Sequence, residues 1–148
     1  MIIKSLETLR ASGFNRLSMG VQDTNPEVQR AVKRIQPLEL TREQVDEARR
    51  LGFDSVNIDL IYGLPGQRPD DWRTEMEWAL ALGAHHFSCY QLTIHERTRF
   101  GLLEKRGKLT QLPSDDQAAL FRLTHEYLNA AGMQGYEVSQ FAAGPEHR

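Results

Sequence analysis

Asn57-Ile58-Asp59-Leu60-Ile61-Tyr62-Gly63-Leu64-Pro65-Gly66-Gln67 reads as a strand that closes in a glycine turn. Val56, Ile58, Leu60 and Tyr62 fall on one side of its alternation, and Asn57, Asp59 and Ile61 on the other. A carboxylate in such a strand costs several kcal/mol if it is buried without a partner. Asp59 therefore needs a partner, which is a ligand, a nearby backbone amide or an arginine.

The same grammar extends in both directions. Arg16-Leu17-Ser18-Met19-Gly20-Val21-Gln22 alternates as a second strand, preceded by a helical pattern over residues 2–12. Asn25-Pro26 has the form of a short helix start. Thr41 with Gln44 forms a capping box, with Leu40 and Val45 as its staple, opening a helix that stops at Gly52. Pro69-Asp70-Asp71 opens another, with Trp72, Met76, Ala79 and Leu80 as its apolar stripe and Gly83 as its end. Residues 86–94 form a third strand whose faces are less clearly divided. A charged stretch follows, with a short helix around residues 100–106. A second capping box at Ser114 and Gln117 then opens a long helix that buries Ala118, Phe121 and Leu128. Residues 136–141 alternate as a last strand.

Strands separated by helices imply parallel pairing in one α/β sheet. Three main strands cannot close an eight-stranded α/β barrel, which takes about 250 residues, so the expectation for this 148-residue chain is a partial barrel or a small open sheet. Residues 1–95 form the barrel part and residues 96–148 a mostly helical C-terminal extension with a short final strand. In either architecture the turn at 63–67 lies at the carboxyl end of its strand, where α/β folds place ligands. The open strand edge at residues 16–22 is a place for self-association.

Composition narrows the function. A formal charge of −2 with scattered basic residues excludes nucleic acid as the main partner, and no apolar run approaches the roughly 18 residues of a membrane span. With no signal-peptide pattern at the start, the expected compartment is the cytoplasm. A single cysteine, Cys89, excludes an internal disulfide and any all-cysteine metal site made by this chain alone, and its position within a strand suits a small buried hydrophobe. His85 and His86 are adjacent and face opposite ways, so they do not chelate one metal together. His95-Glu96 lacks the second histidine of a zinc motif, and the turn at 63–67 lacks the lysine of a nucleotide loop.

The block Gly13-Phe14-Asn15-Arg16-Leu17-Ser18-Met19-Gly20-Val21-Gln22-Asp23, then Arg34, then residues 57–67, resembles the radical S-adenosylmethionine family of oxygen-independent coproporphyrinogen III oxidases and related haem chaperones. The resemblance runs from about residue 9 to residue 141. It implies a partial radical-SAM barrel in which S-adenosylmethionine and a 4Fe-4S cluster together yield a deoxyadenosyl radical. By position, Gln22, Arg34 and Asp59 match residues that contact S-adenosylmethionine, and Thr93 matches one that lines the pocket through its backbone. The family's Cys-x-x-x-Cys-x-x-Cys cluster motif is absent, so the chain is expected to be a portion of a larger protein and inactive by itself, with no catalytic or metal-ligating residue assigned. Tyr90-Gln91-Leu92-Thr93-Ile94 and Gly135-Tyr136-Glu137-Val138-Ser139 resemble the haem-chaperone branch more than the oxidase branch, which makes haem or a porphyrin the expected partner. The alternatives are a portion of an oxidase that decarboxylates coproporphyrinogen III, and a non-catalytic interaction domain derived from the barrel.

Overall fold

A computed structural model describes residues 2–22, 30 and 37–148. The elements are α1 (Ile2–Ala11), β1 (Arg16–Gln22), α2 (Leu38–Arg50), β2 (Ser55–Tyr62), α3 (Pro69–Ala81) and β3 (His86–Gln91). They continue as α4 (Arg99–Lys105), α5 (Ser114–Ala130), β4 (Gln134–Gly135), β5 (Gln140–Ala142) and a final 3-10 turn, Pro145–His147. The helix start at Asn25-Pro26 and the residue Arg34 lie outside the described residues.

One sheet of order β1-β2-β3-β5-β4 carries the fold. β1, β2 and β3 run parallel, as the alternation of strands and helices requires, and the β4–β5 hairpin joins β3 antiparallel. Among the described residues β1 forms one edge, with β2 as its strand neighbour. This is the α/β half-barrel arrangement expected from the sequence.

The packing follows from the alternation. Val56, Ile58, Leu60 and Tyr62 are all essentially inaccessible and belong to one apolar cluster with Phe87, Cys89, Trp72, Met76, Val45 and Phe141. Each large apolar side chain buried there contributes about 1.5–3 kcal/mol. α1 packs on α2, and α5 packs on α3. The α3–α5 contact is pinned by the Trp72 indole N–H, which donates to Thr124 Oγ1 at 2.8 Å with both side chains buried. Thr124 in turn donates to the Leu120 carbonyl.

Both capping boxes read from the sequence are displaced. α2 starts three residues before Thr41, behind Pro37, and Thr41 and Gln44 are buried in the helix instead of capping it. Proline supplies a fixed φ and no N–H at the position just before the helix, so the start moves back to it. Pro113 does the same for α5. Ser114 becomes its first residue, Gln117 donates to the Leu112 carbonyl, and the buried positions are Leu120, Thr124 and Leu128, with Ala118 exposed. β3 ends at Gln91, and the expected last strand at 136–141 is a hairpin whose residues 136–138 are exposed. The stop at Gly52 holds: its φ is +78°, and the Phe53 N–H returns to the Ala48 carbonyl at 3.1 Å, closing a Schellman-type end.

Thr124→Val keeps shape and leaves the buried indole N–H unpaired. It is expected to destabilise the chain by about 1–3 kcal/mol, seen as a lower urea midpoint at unchanged denaturant slope.

Candidate functional site

The strand register divides the sheet chemically. Ser18 lies opposite Asn57 and Gly20 opposite Asp59, while Asn57 pairs with His86 and Asp59 with Ser88. Ser88 is in turn opposite Gln140. The face away from the apolar cluster is thus a polar band across four strands.

Its groups bond to one another. Asn57 Nδ2 donates to Asp59 Oδ1 at 2.7 Å and to Ser18 Oγ at 2.8 Å. Ser18 Oγ lies 3.3 Å from Asp59 Oδ2 and donates to it. On the other side, Asn57 Oδ1 is 2.6 Å from His86 Nδ1 and 3.2 Å from Ser88 Oγ. His86 Nε2 meets the Tyr136 hydroxyl at 2.7 Å, and Ser88 Oγ donates to Gln140 Oε1 at 2.8 Å. Asp59 therefore has two neutral donors and, among the described residues, no ion pair. A carboxylate has about four lone-pair sites, so acceptor capacity remains for a ligand.

The other candidates are placed as follows. Strict alternation of β1 predicts Gln22 on the same side as Ser18 and Asp59. Instead Gln22 closes β1 half-buried with a left-handed φ of +70°, and the bulge between Gly20 and Gln22 sets it opposite Leu60, a member of the apolar cluster, while Asp59 lies opposite Gly20. Thr93 is exposed in the segment beyond β3, just after the Leu92 N–H that donates to the Tyr62 carbonyl at 2.8 Å. Both lie at the carboxyl ends of their strands. Arg34 is outside the described residues. In the turn at 63–67, Gln67 Oε1 accepts from the Gly63 and Leu64 N–H groups at 2.8 and 3.3 Å, which occupies the donors a phosphate would need.

Ser88 and Gln140 are not singled out from the sequence, and Asn57, His86 and Tyr136 are named there with no part in this site. Their signal is a period-two polar set on β3, His86, Ser88 and Tyr90, in register with Asn57, Asp59 and Ile61. A cavity of about 350 Å³ opens at the amino-terminal side of this band, lined in part by Ser18, Asn57, His86, Ser88 and Tyr136.

Electrostatics separate the two faces. Burial lowers the His86 pKa, helped by Arg16 and His147 and opposed by Asp59. His85, which accepts from the Val56 N–H and stacks on His147, is lowered by burial first and then by His147 and Arg49. On the apolar face, burial pushes the Tyr62 hydroxyl up to about 12, with Cys89 adding to it. The Cys89 thiol is likewise pushed up by burial. A buried, protonated thiol on the helix-covered face does not fit an iron–sulfur cluster, which needs several thiolates. Among the described residues no group of three or more histidine, cysteine or acidic side chains converges on a metal position, and no helix is long and apolar enough to cross a membrane.

Three parallel strands with covering helices and a polar band on the other face form part of an α/β barrel. The Radical SAM superfamily matches residues 1–79, and the chain belongs to that superfamily, in the group that holds oxygen-independent coproporphyrinogen III oxidases and haem chaperones. It is 32% identical over 146 residues to the haem chaperone HemW of Bacillus subtilis, covering 98% of this chain and 38% of that protein. It is 42% identical over 135 residues to the oxygen-independent coproporphyrinogen III oxidase of Pseudomonas aeruginosa, covering 90% of this chain and 29% of that one. The solved structure of the Escherichia coli coproporphyrinogen III oxidase HemN, described as a radical SAM enzyme, superposes with a TM-score of 0.83 at 34% identity, over 95% of this chain and 32% of that one. A radical S-adenosylmethionine methyltransferase, TsrM from Kitasatospora setae, shares the fold at TM-score 0.61 and 20% identity, over 70% of this chain and 20% of that one. The chain thus spans roughly a third of the length of these curated relatives.

A histidine whose pKa is lowered on folding favours the folded state above its unfolded value and opposes it below. Stability is therefore expected to fall as the pH drops from neutral through about 6.5 towards the lowered folded values of His85 and His86. Urea midpoints measured across that range check this, and His86→Asn is expected to flatten part of the slope.

Proposed function

We propose that the chain supplies part of the S-adenosylmethionine site of a radical protein of haem metabolism, of the haem-chaperone type. The observation that carries the reading is the Asp59 carboxylate, held by two neutral donors on the polar inner face of the sheet and left with acceptor capacity. Ribose hydroxyls or the amino group of the cofactor are donors of the kind it lacks. Gln22 and Thr93, at the carboxyl ends of β1 and β3, and Arg34 complete the proposed set. The cluster thiolates come from outside these residues, since the one cysteine is a buried member of the apolar cluster. Haem or a porphyrin is the proposed partner of the whole protein, in the cytoplasm, and the β1 edge is the surface through which copies of the isolated chain would associate.

The chaperone reading is supported by the alignment with HemW over 98% of the chain, which takes in the late segment around residues 135–141. The higher identity to the oxidases, 42% and 41%, favours a second reading, in which the whole protein decarboxylates coproporphyrinogen III.

Asp59→Asn is expected to weaken S-adenosylmethionine binding by about tenfold or more, measured by calorimetry on the reconstituted full-length protein. Unchanged affinity contradicts the site. A stoichiometric Soret shift on haem titration without anaerobic turnover of coproporphyrinogen III supports the chaperone, and turnover supports the oxidase.

A further inference from the structure

We infer that Asn57 is a positioning residue. It aims the Asp59 carboxylate, and it fixes the protonation pattern of His86 from the same amide. The inference rests on the proposed role of Asp59 and concerns a residue that does not itself touch the cofactor.

The argument is one of polarity. An ionised carboxylate only accepts, so the atom of Asn57 that lies 2.7 Å from Asp59 Oδ1 must be the amide nitrogen. Its second hydrogen goes to Ser18 Oγ. The amide oxygen is thereby turned towards β3, where it meets His86 Nδ1 at 2.6 Å. A carbonyl oxygen also only accepts, so Nδ1 must carry the proton. In the neutral ring Nε2 is then bare and accepts a hydrogen bond from the Tyr136 hydroxyl at 2.7 Å. One charge on β2 thus sets the direction of the bonds that run from Asp59 through Asn57 and His86 to Tyr136 in the hairpin. The amide uses both donors and its acceptor oxygen, leaving it no other orientation.

The titratable and charged groups around Asn57 are Asp59 on its own strand, Arg16 on β1, His86 on β3, Tyr136 in the hairpin, and His147 and Arg148 of the C-terminal turn, which line the same cavity. Replacing Asn57 by aspartate keeps the acceptor towards His86, removes the donor towards Asp59 and sets two carboxylates side by side. Such a pair does not ionise fully without cost. As the pH falls, one carboxyl takes a proton and can donate again, and protonation of His86 relieves the pair in the same direction.

The test has two parts. In the chain labelled with 15N-histidine, ring nitrogen shifts are expected to report neutral His86 protonated at Nδ1, with that preference lost in Asn57→Leu. An Nε2-protonated ring in the unaltered chain, or no change in the variant, overturns the inference. In the full-length protein, Asn57→Asp is expected to bind S-adenosylmethionine about tenfold or more weakly at alkaline pH. Affinity should recover as the pH falls, more steeply than in the unaltered protein, while thermal midpoints show the variant folded throughout. A merely structural role would leave that pH profile unmoved, and equal profiles overturn the role of Asn57. Asp59→Asn binding as tightly as the unaltered protein instead overturns the S-adenosylmethionine reading and leaves the tautomer result standing.

Discussion

The side-chain amide of Asn57 joins the three parallel strands on their polar face. It bonds Ser18 on β1, Asp59 on β2 and His86 on β3, with distances of 2.6–2.8 Å. A sheet that covers one face with helices must either solvate or internally pair the polar atoms of the other. Here pairing is chosen, and it requires β1 and β3 to flank β2 in parallel at the observed register. A slip of one residue would bring Leu17 or Met19 onto the polar band and carry Ser18 into the apolar cluster.

Much of this was legible in the sequence for one reason: alternation on β1 and β2 is strict. Leu17, Met19 and Val21, and then Val56, Ile58, Leu60 and Tyr62, leave one way to orient each strand, and Asp59 stands out as the charge on the remaining face. β3 was ambiguous because its members on the apolar face include Cys89, while its polar face holds His86, Ser88 and Tyr90, residue types that suit either side. Only the pairing partners settle it. The helix starts at Thr41 and Ser114 were misread because a good capping sequence competes with a proline a few residues earlier, and proline prevailed at Pro37 and Pro113. The placement of the candidate site residues is legible only in part. Asp59 follows from alternation, whereas the bulge that carries Gln22 opposite Leu60 has no signature in a strand that alternates cleanly to its end.

The two faces also sort the chain's chemistry. Cys89 and Tyr62 sit among apolar side chains, and burial holds both in their protonated forms. Asp59, His86, Ser18 and Ser88 lie on the opposite side, all within hydrogen-bond distance of the Asn57 amide. The polar band and the lone buried thiol thus lie on opposite sides of the sheet. Gln67 contributes by what it occupies. By closing the turn after β2 on itself, it takes the Gly63 and Leu64 N–H groups away from any phosphate.

The most direct measurement is a crystal structure of the full-length protein with S-adenosylmethionine bound. The account predicts the cofactor on the polar face, with a ribose hydroxyl or the amino group within hydrogen-bond distance of the Asp59 carboxylate and the Asn57 nitrogen still on its other side. A cofactor bound elsewhere, or Asp59 turned away to pair with an arginine, would contradict it.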